Sequence, residues 1–184
     1  MTYREIRDHK FKILFTYYFR HTTIDEVLLN YFEGIPYEED DDENTYVNDG
    51  SNVHKSISIN VTRDEEKKDE NVSDSAVSIK LTDEDHIRDI KNKVRDCASK
   101  TEEIDKLIET NLDSWDLGRV GKAELAIIRL AIYEMYYDAS MDLAVAINEA
   151  VELSKVYCDE KASKFVNGVL ATIYKKKKET EKTA

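Results

Sequence analysis

Residues 122–137 read KAELAIIRLAIYEMYY, and the way this stretch folds decides the rest. Apolar side chains cover nearly the whole circumference of a helix drawn through it, instead of one stripe. Such a helix belongs at the centre of a helical protein or inside a membrane. The chain holds no run of about 18 apolar residues, which excludes a membrane span. A buried central helix needs others around it, and the composition supplies them. Five Gly and one Pro in 184 residues leave few breakers, and 36% of the chain is charged. That balance favours an all-α protein over a β-rich one. The length suits one compact domain or two tightly packed halves, with a real core.

Upstream, residues 3–20 form a first helix. Ile6, Ile13, Leu14 and Tyr17 make its inward stripe, while Arg4, Arg7, Phe11, Lys12 and Phe15 fall at i, i+3, i+7, i+8 and i+11 on another side. A second helix covers 23–34, with Thr23 and Glu26 spaced as a capping box and Gly34 as a stop. Thr82 and the acids after it start a third helix, in which Ile87, Ile90, Val94 and Cys97 recur at helical spacing. Thr101 starts a fourth, with Ile104, Leu107 and Ile108 inward. Downstream of the central helix come helices at 142–157 and 160–175. The expected organisation is about seven helices: N-terminal helices in 1–35, a C-terminal helical stretch in 82–175 and a basic tail in 176–184.

Residues 36–81 interrupt that order after Pro36. The stretch is acidic, polar and poor in large apolar residues, so it cannot offset its own chain entropy by burial. A low-order acidic insert is expected. The segments SISINVT (56–62) and AVSIKLT (76–82) alternate in the strand manner, which keeps a weak β-hairpin as the alternative.

Charge is unevenly spread. Within residues 36–74, thirteen acids face four bases, a net of −9 out of −12 for the chain. The first twenty residues carry +3. The body is nearly neutral, with an acidic insert and a basic start. Catalytic patterns are missing. His9, His21, His54 and His86 are scattered without metal-ligand spacing, and no phosphate-binding glycine loop or nucleophile elbow occurs. No enzyme, metal or cofactor is proposed by these residues. Cys97 and Cys158 stand alone, as inert thiols do in a reducing cytoplasm. MTYREIRDHK at the start lacks the apolar core of a secretory signal.

Two polar interruptions remain. Asn148 flanks the apolar side of AINEAVELSKVY (146–157), and Asn167 and Gly168 sit side by side in FVNGVL (165–170). A glycine inside a helix costs about 1 kcal/mol against alanine. One reading makes Gly168 a smooth strip for close helix approach, with Asn148 and Asn167 as polar pins in the packing. The other leaves all three on a half-exposed helix surface. These blocks, in the order ELAIIRLAIYEM, AINEAVEL and KFVNGVL, resemble the NusB family of bacterial transcription antitermination factors from about Trp115 to Leu170. The likeness continues more weakly in YREIRDHKFKILF at the first helix.

The resemblance implies two small helical bundles packed across one another. It implies binding of single-stranded boxA RNA together with NusE, a small-subunit ribosomal protein, within the transcription elongation complex, supporting ribosomal RNA synthesis. Arg4 and Arg7 fall where the family carries two arginines, and Phe15 replaces its usual tyrosine. With Lys12 they have the composition of a single-stranded RNA surface: cations for phosphates and a ring for an unstacked base. Neither arginine is expected in the core. Lys161, Lys164 and Phe165 lead into the last helix, whose free N–H groups favour phosphate. Phe165 divides between core and RNA contact. Glu124 and Arg129 are charged exceptions near the central helix, either paired internally or offered to NusE. The alternative function is a helical adaptor between proteins, without RNA, using the acidic insert or the central helix.

Overall fold

The computed structural model describes residues 1–20, 22–34, 83–111 and 117–183 (of residue 183 the backbone only), all within one compact unit. Among them are seven α-helices, one 3-10 turn and no strand: α1 Tyr3–Phe19, α2 Ile24–Glu33, α3 Asp83–Ser99, α4 Thr101–Glu109, the turn Leu117–Arg119, α5 Lys122–Tyr136, α6 Leu143–Tyr157 and α7 Glu160–Thr183. The acidic insert at 36–81, its two alternating segments, Thr82 and Trp115 fall outside the described residues.

Local chemistry explains most boundaries. Thr23 accepts from the Glu26 amide while Glu26 reaches back to the Thr23 amide, the expected capping box at the start of α2. Gly34 ends that helix at φ 67°, in the left-handed region where a side chain would be strained. Thr2 and Glu5 build the same box ahead of α1, and Asp142 caps α6 by accepting from the amides of Ala144 and Val145. α7 does not stop at residue 175. Lysine and glutamate are good helix formers, no Gly or Pro intervenes, and Lys177 pairs with Glu181 one turn on at 3.3 Å. The basic tail of 176–184 is therefore helix as far as Thr183.

Packing divides the helices into two groups that share α5. Helices α5, α6 and α7 pack on one another, and so do α1, α2 and α3; α5 touches α1, α3 and α4 as well. α3 thus joins the N-terminal helices, not the C-terminal bundle in which the sequence places it. As expected, α5 is the centre: Ala126, Ile127, Ile128, Leu130, Ala131 and Ile132 are all at most 1% exposed. One continuous core joins them to Ile13 and Leu14 of α1, Ile90 and Val94 of α3 and Val166 and Leu170 of α7.

The close-approach reading of Gly168 is overturned. Gly168 is exposed, and a Cβ added there would meet nothing within 4 Å. Asn148 and Asn167 are exposed too, so they are not pins in the packing. The buried stripe of α7 runs through Ser163, Val166, Val169, Leu170 and Ile173, which turns Asn167 and Gly168 outward.

Candidate nucleic-acid interface

Helix α1 faces α5 and α6 with Arg7, Lys10, Phe11 and Leu14, which recur at i, i+3, i+4 and i+7 and are all buried. Arg7 is therefore a correction to the sequence reading, which kept it out of the core. Its side chain is 2% exposed; Nη2 lies 2.5 Å from Oε2 of Glu134 and donates to the Ala146 carbonyl at 3.0 Å. Lys10 is equally buried and lies 3.9 Å from the other Glu134 oxygen. Burial pushes the Glu134 carboxyl up, against the pull of Arg7 and Lys10, and the same desolvation pushes the Lys10 ammonium down. Glu134 is wholly buried in α5, and a buried carboxylate without counter-ions is costly, so two cations of α1 turn inward to meet it.

The other α1 residues stand outside. Arg4 is exposed and lines a cavity of about 300 Å³ with Asp8, Glu149, Glu152, Leu153 and Val156. Lys12 is half-buried, 2.7 Å from Asp8. Phe15 is the middle ring of a ladder. Its centroid lies 5.6 Å from Phe11 and 4.4 Å from Phe19, and Tyr157 of α6 packs on Phe11 at 4.5 Å. At the far end the Lys122 ammonium sits 4.2 Å over the Phe19 ring. Phe11 is buried, but Phe19 and Tyr157 keep 39% and 36% of their surface exposed, enough to offer a face. The Tyr157 hydroxyl donates to Asp8 at 2.5 Å; burial first, and then this bond, push its pKa above the ordinary value.

Asp8 thus holds Lys12 with one oxygen and Tyr157 with the other. The bond anchors the end of α6, three residues ahead of α7, against α1. The sequence reading missed Phe19, Tyr157 and Lys122. Phe11, Phe15 and Phe19 at i, i+4 and i+8 were a legible signal; the other two arrive through tertiary packing.

At the start of α7, Lys161 is exposed, and Lys164 pairs with Glu160 at 2.7 Å where both are largely solvated. Phe165 is half-buried against the core. Arg129 is paired internally. Its Nε and Nη2 donate to the two oxygens of Asp105 at 2.7 and 2.8 Å, and its guanidinium lies 4.3 Å over the Tyr18 ring. Glu124 is half-exposed and folds back over Gly121, filling the space a side chain there would need. An acid in that first turn suits the helix dipole.

Chemically, this face offers rings and cations and no reactive pair. Burial pushes the Cys97 thiol up to about 12 and the Cys158 thiol to about 11, far from the thiolate a nucleophile needs. Among the described residues no cluster of His, Cys, Asp or Glu is arranged for a metal ion, and no helix is long and apolar enough to cross a membrane.

Known proteins resemble this arrangement. The NusB family profile matches residues 53–175. A transcription antitermination protein NusB of Listeria welshimeri is 49% identical over 71 residues, 39% of this chain and 56% of that protein. One of Clostridium botulinum is 49% identical over 73 residues, 40% of this chain and 55% of that protein. The chain spans little more than half the length of these relatives. In fold, a NusB structure of T. maritima superposes with a TM-score of 0.62 at 23% identity, covering 95% of this chain and 92% of its own. The solution structure of NusB from Aquifex aeolicus gives 0.60 at 27% identity, covering 95% and 89%. With the profile spanning more than half of the sequence, this chain belongs to the NusB family.

Proposed function

We propose that the protein is a transcription antitermination factor that binds single-stranded, boxA-type RNA through the exposed side of α1, in company with a NusE-like ribosomal protein. The observation that carries this reading is the ladder Tyr157–Phe11–Phe15–Phe19 with Lys122 at its end. Base–aromatic stacking contributes about 1–3 kcal/mol per base, and neighbouring cations hold the phosphates between. Arg4, Lys12, Lys161 and Lys164 supply that charge, and Phe165 flanks it. The name borne by the curated relatives supports the antitermination role.

Long-range attraction is unhelpful here, because the chain carries −12. A basic ribosomal protein bound beside α5 would bring positive charge and further RNA contacts. Glu124 is the α5 acid left to meet it, since Glu134 is wholly buried, and Arg129 is occupied by Asp105.

The test is a titration of a labelled boxA-type oligonucleotide, with and without the NusE-like protein, on the parent and on Arg4→Glu/Lys12→Glu. Both substitutions avoid the core. The parent should bind more tightly with the partner present, and the double variant at least tenfold more weakly. Equal affinity for parent and variant removes the α1 face from the interface. The adaptor alternative draws support from the pairing of Lys12 with Asp8, which lowers the free charge of α1. Partner binding without any RNA binding would establish it.

A further inference from the structure

Helix α7 carries a second stripe that the packing leaves unused. Lys161, Lys164, Gly168, Ala171, Lys175, Lys178 and Lys182 succeed one another by alternating steps of three and four, so they share one face. Every one of them is exposed. The helix holds seven lysines against three glutamates, in a chain whose net charge is −12. Lys161, Lys175, Lys176 and Lys182 have no ion-pair partner among the described residues. Lys164 pairs with Glu160 and Lys178 with Glu181 at 3.5 Å, but these side chains are solvent-exposed, so both pairs are weak. Between the two lysine groups the surface is smooth: nothing lies within 4 Å of a Cβ at Gly168, and Ala171 adds only a methyl group.

The near end of the stripe adjoins the ladder, because Tyr157, just ahead of α7, donates to Asp8 and stacks on Phe11. From Lys161 to Lys182 the helix rises roughly 32 Å. We propose that a single strand of RNA seated on the ladder continues along the outward face of α7. Lys161 and Lys164 take its phosphates at the near end, its backbone crosses the floor of Gly168 and Ala171, and Lys175, Lys178 and Lys182 take phosphates at the far end. The contacts are to phosphate, so the track extends the footprint without reading sequence. The inference rests on the RNA-binding reading above. Continuity with the ladder favours RNA over an acidic protein segment, which would match the charge alone.

The experiment compares a short boxA-type RNA with the same RNA carrying a uridine tail at one end or the other, each titrated over a range of salt. For the parent, a tail at one end should tighten binding and steepen the salt dependence. Each phosphate contact on a single strand adds about 0.7 to the slope, so three far lysines add roughly 2. The variant Lys175→Gln/Lys178→Gln/Lys182→Gln should bind the short RNA as the parent does and lose the gain from the tail. Ala171→Glu, which sets a like charge in the floor without touching the core, should lose it too. A tail that adds nothing for the parent, or a triple variant that weakens short and tailed RNA equally, overturns the track. In both cases bound short RNA leaves the RNA reading standing; a parent that binds no RNA sinks both. Binding of a polyglutamate peptide that the triple variant loses, with no gain from the tail, assigns the stripe to an acidic protein segment instead.

Discussion

Replacing Glu134 with Ala tests whether the cluster beneath α1 is held together by charge. The substitution leaves Arg7 and Lys10, each 2% exposed, without a counter-ion in the core. Stranding buried charge in this way costs about 3–5 kcal/mol, well above the ~1 kcal/mol of a solvated pair. At about 2–4 °C per kcal/mol, the melting temperature should fall by roughly 6–20 °C. Urea titration with an unchanged slope would assign the loss to stability and not to a looser native state. The variant Arg7→Met/Lys10→Met/Glu134→Leu removes all three charges together. An apolar replacement of a buried ion cluster is often neutral or stabilising by about 1–4 kcal/mol. Against that stands the Ala146 carbonyl, which loses its donor at a cost of about 1–3 kcal/mol. The two effects nearly cancel, so the triple variant should lie within about 2 kcal/mol of the parent and above Glu134→Ala. A Glu134→Ala protein that loses less than about 1 kcal/mol would refute the reasoning, since the cluster would then behave like a solvated pair.

Three further outcomes are expected. Gly168→Ala should stabilise by about 0.5–1 kcal/mol, read in the same urea titration, because the added methyl group meets open space in a helix interior; a loss would restore the close-approach reading. Arg129→Ala and Asp105→Ala should be non-additive, with a coupling of about 0.5–3 kcal/mol in a double-mutant cycle, given their paired hydrogen bonds; additivity would mean the bonds do not form in solution. Burial tends to raise the Asp138 carboxyl, but hydrogen bonds from Lys93 and Ser140 outweigh it and hold it below its ordinary 3.8. A depressed carboxylate stabilises the fold above the unfolded value and ceases to do so as pH falls through the folded one, so Asp138→Asn should flatten the acid limb of stability against pH; an unaltered limb would show that Asp138 takes no part in it.

Signals carried within one or two turns were legible in the sequence. Thr23, Glu26 and Gly34 mark the two ends of α2 because the groups they satisfy lie three or four residues away. The all-round apolar character of 122–137 gave the central helix for a similar reason, being a property of the segment itself. Arg7 was misplaced because its partner is 127 residues off, and a cation on a helix looks the same from the sequence whether it meets water or Glu134. Glu134 was the overlooked clue, an acid inside an apolar run. Gly168 failed differently: its helix propensity is local, but whether it faces a neighbour or solvent depends on which stripe of α7 is buried. Of the candidate face, Arg4, Lys12 and Phe15 were readable from helical spacing. Lys122 and Tyr157 come from other helices, and no spacing within α1 points to them.

The pairing of Arg7 also bears on how the protein is made. Helix α1 is made before α5 and α6, yet those helices hold the acceptors its buried cations require, Glu134 and the Ala146 carbonyl. Until α5 has emerged Arg7 and Lys10 lack their counter-ion, and until α6 follows Arg7 lacks its carbonyl acceptor, so the charged part of the α1 face cannot be seated. The ring ladder needs Tyr157, which comes later still. A chain cut short before α6 therefore carries the basic start in full and cannot assemble the surface built on it. Competence of α1 is conferred by helices made well after it.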